Sequence, residues 1–123
     1  TLEWLGLTNL AEAHADTLPF GAVRRIGIGR ALCGRPTFLL LDEPAAGLNT
    51  AECDELLNII SGIRKEFGCG VLLISSEPEE LTGMCDRILV MNNGEITGSF
   101  ERGGFDPEAM LEAAMRQGTR ASA

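Results

Sequence analysis

The hydrophobic and polar positions of this 123-residue chain follow two patterns, short apolar runs and longer stretches with helical spacing. The runs at 38–42 and 71–75 are typical of strands that are buried on both faces of a parallel sheet. Helical spacing is clearest between Asn49 and Gly68, where one apolar stripe contains Cys53, Leu56, Leu57, Ile60, Ile63 and Phe67. Strands that alternate with helices predict an α/β fold with a mainly parallel sheet.

Other segments complete the predicted order of elements. Helices are also expected over residues 1–15, 21–32 and 77–84, and strands over residues 88–91 and 95–100. Asn92-Asn93-Gly94 indicates a turn between the last two strands. Asp106 before Pro107 indicates the start of a final helix. We expect the apolar face of that helix to consist of Met110, Leu111, Ala114 and Met115, and the residues from Gly118 onward to form a loose tail.

Two adjacent carboxylates, Asp42 and Glu43, end the first apolar run, directly before Pro44. They are therefore expected at the carboxyl edge of the sheet, where open α/β folds bind ligands. Of two such carboxylates, one can hold Mg²⁺ and the other can orient or activate a water molecule. A strand that merely ends in a polar turn gives the same local pattern, so the interpretation depends on the residues upstream.

The residues around this strand form a series of motifs that resembles the ATP-binding cassette (ABC) ATPases. The series consists of a signature-like loop at Leu18-Pro19-Phe20-Gly21-Ala22, the helix end Arg30-Ala31-Leu32, the Walker B-like end Asp42-Glu43-Pro44 and a D-loop-like segment at 45–49. The resemblance extends from Leu18 to Phe100. By this resemblance Asp42 matches the Walker B aspartate that supports Mg²⁺, and Glu43 matches the catalytic glutamate.

The resemblance implies the carboxyl-terminal part of a P-loop NTPase (RecA-like) domain, and an incomplete one, because the chain contains no Gly-x-x-x-x-Gly-Lys-Ser/Thr motif. Residues 1–103 would be the partial ATPase domain, and residues 104–123 a carboxyl-terminal helix and tail. The implied cofactors are ATP and Mg²⁺. The implied partners are a second ATP-binding subunit, in a head-to-tail dimer, and transmembrane permease subunits. The implied location is the cytoplasmic face of the cell membrane.

In the resembling ATPases the signature loop contacts the γ-phosphate of ATP held by the partner subunit. We therefore expect Leu18, Pro19, Phe20, Gly21 and Ala22 to bind the nucleotide, with Gly21 allowing close approach of the backbone. Leu-Pro-Phe-Gly is close to the Leu-Pro-Tyr-Gly variant of branched-chain amino acid importers. Ala22 replaces the usual glutamine and so removes a polar contact.

Two interpretations of Ser76 remain open. Its position after the strand at 71–75 matches the switch histidine of the family, which would place it at the catalytic site, although a hydroxyl cannot carry the positive charge of an imidazole. Alternatively Ser76 and Glu79 form a capping box with Pro78 in the first turn, and we favour this role. Ser75-Ser76-Glu77 and the residues at 86–98 also resemble monosaccharide importer ATPases. Asn49 and Glu52 predict another capping box.

Composition restricts the partners. The formal net charge of −8 argues against nucleic acid as a partner. The arginines at 24, 25, 30 and 35 could line a phosphate site or solvate a helix face. The cysteines at 33, 53, 69 and 85 are widely spaced and the chain has only one histidine, so a zinc site is not expected and the cysteines are predicted to be core residues.

Together these features predict an ATP-hydrolysing subunit of an importer for branched-chain amino acids or sugars, although this chain by itself is expected to be inactive because it lacks a P-loop. The main alternative is a non-catalytic half-domain that pairs with an active ATPase. Ala22 and Ser76 favour that alternative, whereas Glu43 argues against it. A cassette ATPase that functions outside transport is a third possibility.

Overall fold

The first part of the chain combines a turn-rich amino-terminal segment with two helices and two parallel strands in the computed structural model, which describes residues 2–116. The elements are 3₁₀ turns at Thr8–Leu10 and Ala15–Thr17, helix α1 (Phe20–Cys33), strand β1 (Phe38–Asp42), helix α2 (Thr50–Phe67) and strand β2 (Gly70–Ile74). These bounds confirm the predicted order of helices and strands over residues 20–75.

The helix predicted over residues 1–15 is wrong. This segment forms turns and 3₁₀ turns instead. Gly6 has a φ of +68°, which interrupts any α-helix at that point. Leu5 and Leu7 are both buried, and this spacing of two residues fits an irregular segment lying on the core better than a helix.

Strands β1 and β2 pair in parallel, with Leu40 opposite Leu72 and Asp42 opposite Ile74. Leu39 is buried, but four apolar side chains on these strands are between 53 % and 69 % exposed: Phe38, Leu40, Leu72 and Ile74. Burial of both sheet faces was therefore a wrong prediction. The side chains at 38, 40, 72 and 74 point to the same face because strand positions alternate, and the described residues leave that face open to solvent.

Helix α2 follows the predicted pattern closely. The Asn49 side chain accepts a hydrogen bond from the Glu52 amide at 2.9 Å, and the Glu52 carboxylate accepts one from the Asn49 amide at 3.1 Å, which confirms the capping box. Gly68, with a φ of +63°, ends the helix in the left-handed conformation. Leu56, Ile60 and Ile63 are its buried residues.

One core cluster of this first part lies between the amino-terminal segment and α1. Leu5, Leu7 and Ala22 are each 1 % exposed, and the partly buried residues packed around them are Trp4, Leu10, Leu18, Ile26 and Ile59. Trp4 also packs edge-to-face against Phe67 at the end of α2, with 5.1 Å between ring centroids. The turn-rich segment is thereby fixed to both helices.

The described residues from Ser76 onward form a second compact unit. It contains helix α3 (Pro78–Thr82), strands β3 (Arg87–Asn92) and β4 (Glu95–Glu101), and helix α4 (Pro107–Met115). The strands form an antiparallel hairpin through Asn93 and Gly94, whose φ values are +51° and +79°, as the turn signal predicted. The boundary proposed between residues 103 and 104 falls within this unit.

Helix α4 packs on both strands of the hairpin. The Asp106 side chain accepts a hydrogen bond from the Glu108 amide at 3.0 Å, which confirms the predicted cap. The predicted apolar face is wrong, however: Met110 and Ala113 are buried, whereas Leu111, Ala114 and Met115 are exposed. Gly98 opposite Ala113 makes room for the close approach that selects this face. The tail predicted from Gly118 lies outside the described residues.

The prediction that the cysteines are core residues is only partly confirmed. Cys69 is buried, Cys53 and Cys85 are half-buried, and Cys33 is exposed; all four are free thiols. Among residues 2–116 no cluster of three or more His, Cys, Asp or Glu side chains could hold a metal ion. Within the same residues no helix is long and apolar enough to cross a membrane.

Candidate functional site

The two carboxylates stand where the sequence predicted them, at the carboxyl end of β1. Asp42 is the last residue of the strand and is exposed, and Glu43 follows it, half-buried. The Glu43 amide donates to the Ile74 carbonyl at 2.8 Å, which extends the pairing of β1 and β2 by one residue. This bond fixes the backbone at Glu43 to the end of the neighbouring strand.

Glu43 has a φ of +45°, in the left-handed region that residues other than glycine seldom adopt. Such a conformation costs about 1–3 kcal/mol and is found mainly at functional sites. Here it turns the chain sharply between the strand and the buried residues Pro44 and Ala45.

The loop from Glu43 to Asn49 contains two hydrogen bonds between residues three apart in sequence. The Ala46 amide donates to the Glu43 carbonyl, and the Leu48 amide donates to the Ala45 carbonyl, each at 3.2 Å. Gly47 takes a φ of +81° between them. The Asn49 side chain, at the end of the D-loop-like segment, is engaged in capping α2.

The signature-like segment lies at the start of α1. Pro19 is the N-cap residue and provides no side-chain hydrogen bond, and the first turn contains no acidic residue. The positive end of the helix dipole is thus not compensated by the residues of its own first turn, an arrangement suited to an anion. Leu18 and Ala22 point into the core, whereas Phe20 is 53 % exposed. Any nucleotide contact at Ala22 would therefore come from its backbone.

The structure brings the start of α1 directly against the loop that follows Glu43. A Cβ atom at Gly47 would lie 3.3 Å from the edge of the Phe20 ring, and one at Gly21 would lie 3.5 Å from the Glu52 side chain. The Arg24 Nη2 atom donates to the Ala46 carbonyl at 3.2 Å. Sequence reasoning missed this contact, since no spacing pattern links positions 24 and 46.

Two arginines of the basic cluster are engaged within the protein. The Arg25 Nη1 atom donates to the Leu5 carbonyl at 3.3 Å and lies 4.0 Å from the Glu55 carboxylate. Together with the Arg24 contact, this favours an architectural role for these two side chains over the phosphate site that the sequence had left open.

A cleft of about 260 Å³ separates α1 from β1. Its lining is mainly apolar and includes one cation, Arg24, and one carboxylate, Asp42; the full set is Val23, Arg24, Gly27, Ile28, Ala31, Leu39, Leu40, Leu41, Asp42 and Pro44. The cleft therefore leads along the strand to the exposed carboxylate.

Ser76 lies at the beginning of the second unit, before α3. The N-cap of α3 is Glu77, which directly precedes Pro78 at the first helical position, and its side chain makes no cap hydrogen bond. The capping box predicted for Ser76 and Glu79 is therefore wrong. Because proline fixes the first helical position, the helix begins one residue too late for Ser76 to serve as its cap.

The fold and the carboxylate-bearing strand end place the chain in one class, a part of the P-loop NTPase fold found in ABC ATPase domains. The ADP-bound form of MJ1267, an ATP-binding cassette of an ABC transporter, superimposes with a TM-score of 0.80 at 25 % identity, over 94 % of this chain and 47 % of that one. A metal-chelate type ABC transporter matches with a TM-score of 0.83 at 25 % identity, over 92 % of this chain and 45 % of the other. No family model matches the chain.

Sequence relatives give the more particular identification. The chain is 43 % identical over 93 residues to the branched-chain amino acid transport ATP-binding protein BraF of Pseudomonas aeruginosa. These 93 residues cover 76 % of this chain and 36 % of BraF. The chain is 41 % identical to LivG of Escherichia coli K12, over 76 % of this chain and 36 % of LivG. The methionine import protein MetN of Carboxydothermus hydrogenoformans is 35 % identical, over 77 % of this chain and 28 % of MetN.

The chain is thus a homologue of ABC transporter ATP-binding proteins, as the motif series predicted. It spans about a third of the length of the curated relatives it matches. The activity, substrates and partners of a whole transporter subunit therefore come to this chain only as proposals.

Proposed function

We propose that this chain is a carboxyl-terminal part of the ATP-binding subunit of an ABC-type importer, and that ATP hydrolysis by the complete subunit drives solute uptake. The observation that carries the proposal is the Asp42–Glu43 pair at the end of β1, where Glu43 has a φ of +45° and its amide is bonded to Ile74. BraF and LivG, named for branched-chain amino acid transport, favour an amino acid as the solute. A sugar is the alternative, from the monosaccharide-importer features at 86–98.

The carboxylates would take different roles. Asp42 is exposed and provides the oxygen ligand that Mg²⁺ prefers, so it would support the ion directly or through water. The bound ion would neutralise charge on the ATP phosphates. Since the described residues hold no complete metal site, the other ligands would come from ATP, water and residues elsewhere in the subunit. Glu43 would orient the attacking water.

The segment Leu18–Ala22 would bind the nucleotide held by a second ATP-binding subunit in a head-to-tail dimer. The backbone amides at the start of α1, whose own first turn contains no acidic residue, support this role, and the Glu52 carboxylate beside Gly21 would have to be balanced by the bound cation. Gly21 would allow the backbone to come close to the phosphate, and Pro19 and Phe20 would frame it. The complete subunit would lie at the cytoplasmic face of the membrane, attached to permease subunits.

A non-catalytic half-domain paired with an active ATPase is the second candidate. Ala22, whose buried methyl group replaces a polar side chain, and Ser76, in place of a histidine, favour it. The glutamate at position 43, together with its strained backbone at a strand end, supports catalysis instead.

The test is Glu43→Gln in the complete subunit. The substitution keeps the size of the side chain and removes its charge, so hydrolysis should fall by about two orders of magnitude or more while ATP binding persists. Glu66→Gln is the matched control, since Glu66 is exposed on α2 and away from the strand end. Equal turnover of Glu43→Gln and the wild-type protein would show that this carboxylate is not catalytic, and a wild-type subunit that binds ATP without hydrolysing it would favour the non-catalytic half-domain.

A further inference from the structure

We propose that Arg24 is a positioning residue that holds the loop Glu43–Asn49 against the start of α1 and thereby fixes Glu43 for hydrolysis. The inference rests on the proposed function and extends it to a residue outside the carboxylate pair and the signature-like segment.

The Arg24 guanidinium connects two segments of the chain. Its Nη2 atom donates to the Ala46 carbonyl at 3.2 Å, and its central carbon lies 5.0 Å from the centroid of the Phe20 ring. The first contact holds the loop and the second holds the first residue of α1. A planar cation can donate a hydrogen bond in its plane while its face covers an aromatic ring, which the compact ammonium of lysine does less well.

A direct connection runs from Arg24 to the candidate catalytic residue. The Ala46 carbonyl accepts from Arg24, and the Ala46 amide donates to the Glu43 carbonyl at 3.2 Å. The Glu43 amide in turn is bonded to Ile74 at 2.8 Å. A shift of Ala46 therefore acts on one side of Glu43, while β2 fixes the other side.

The loop and the helix start also approach closely on either side of this bond. Gly47 permits the Phe20 ring to lie where a Cβ atom would be only 3.3 Å away. At the end of the loop, Glu52 accepts the Asn49 amide and lies beside Gly21. Arg24 thus supplies a charge-assisted bond at the centre of an interface whose other contacts come from backbone, the Phe20 ring and the Glu52 side chain.

The experiment compares Arg24→Ala and Arg24→Lys with the wild type in the complete subunit, with Arg30→Ala as the control. Arg30 is an exposed arginine on the same helix, so its removal changes the charge of α1 without touching the loop. Two readouts are taken: hydrogen exchange of the Ala46 and Leu48 amides, and kcat together with KM for ATP.

For Arg24→Ala we expect exchange of these two amides to accelerate about tenfold, the effect of losing one charge-assisted hydrogen bond. We expect kcat to fall by about the same factor, with KM unchanged, because the catalytic carboxylate is displaced but no nucleotide contact is lost. Arg24→Lys should resemble Arg24→Ala in both readouts, and Arg30→Ala should resemble the wild type.

Unchanged exchange in Arg24→Ala would overturn the proposal, as would faster exchange with unchanged kcat. Normal kcat in Arg24→Lys with accelerated exchange of the Ala46 and Leu48 amides would also overturn it, because kcat would then not depend on the hold on the loop. A wild-type subunit that binds but does not hydrolyse ATP would refute the proposed function, and with it the catalytic part of this inference, whereas the exchange rates would still measure the hold of Arg24 on the loop.

Discussion

The amide of Glu43 and the carbonyl of Ile74 are joined by a hydrogen bond of 2.8 Å across the ends of two parallel strands. This bond fixes the Glu43 amide at the point where the chain leaves the sheet. At Glu43, with a φ of +45°, the chain turns toward the buried Pro44. The backbone that carries the candidate catalytic carboxylate is thus fixed by the sheet itself. The segment after Ile74 leads to Ser76, the other candidate catalytic residue.

For Ser76, stability and activity should respond separately. Because Glu77 is the N-cap of α3, Ser76→Ala should change the free energy of unfolding by less than about 0.5 kcal/mol. Asp106→Ala, which removes a cap that is present, should cost about 1 kcal/mol and serves as the comparison. Urea unfolding measures both. If Ser76 faces the nucleotide, Ser76→Asp should depress hydrolysis more than Ser76→Ala; equal rates would exclude that role.

The capping box of α2 should be measurable at Asn49. Asn49→Ala removes the acceptor for the Glu52 amide and should cost about 1 kcal/mol of stability, whereas Asn49→Asp should retain most of it. Asn58→Ala, at an exposed position within the same helix, should be neutral or slightly stabilising because alanine is the better helix former. Thermal unfolding compares the three variants. An equal effect of Asn49→Ala and Asn58→Ala would refute a capping contribution.

Gly98 should not tolerate a side chain. A Cβ atom there would lie 2.9 Å from the Ala113 Cβ atom and 3.0 Å from the Phe100 ring, so Gly98→Ala should separate α4 from the hairpin and cost about 1–3 kcal/mol. Gly83→Ala is the control, because nothing lies within 4 Å of a Cβ atom at that position. Denaturant midpoints of the two variants should differ clearly. Similar midpoints would show that α4 can shift without loss.

The reactivity of Cys85 should depend on two neighbouring charges. Burial and the Asp86 carboxylate raise the pKa of this thiol, and Arg102, which lies 3.7 Å from Asp86, lowers it. Since the thiolate is the reactive form, Asp86→Asn should lower the pKa and speed alkylation at mildly alkaline pH, whereas Arg102→Gln should raise the pKa and slow it. Mass spectrometry of iodoacetamide labelling over a pH series provides the measurement. Identical labelling profiles would show that burial alone sets the shift.

The parts of the fold that depend only on residues close together in the sequence were predictable from it. The bounds of β1, the caps at Asn49 and Asp106 and the turn at Asn93-Gly94 all follow from local chemistry. The failures involve tertiary context. The apolar face of α4 is selected by the space above Gly98, and the exposure of Leu40 depends on what covers the sheet, neither of which any spacing pattern records.

The candidate site divides in the same way. Asp42 and Glu43 were predictable because a strand end and two carboxylates are adjacent in sequence. The bond of the Glu43 amide to Ile74 and the contact of Arg24 with Ala46 each join residues far apart in the chain. In the sequence, the aromatic residue at position 20 and the glycine at position 47 are the signals that could have suggested a close contact between the start of α1 and the loop Glu43–Asn49.

Because one face of β1 and β2 is exposed, the carboxylates of the candidate site also bear on the solubility of the chain. The run from Phe38 to Leu41 is apolar, uncharged and free of proline, which is the composition of an aggregation-prone segment. Arg35 and Pro36 flank it on one side, and the Asp42–Glu43–Pro44 group flanks it on the other, in the manner of gatekeeper residues. Neutralising both carboxylates would then lower the yield of soluble protein as well as the rate of hydrolysis, so activities of such variants need to be normalised to the folded, monodisperse fraction.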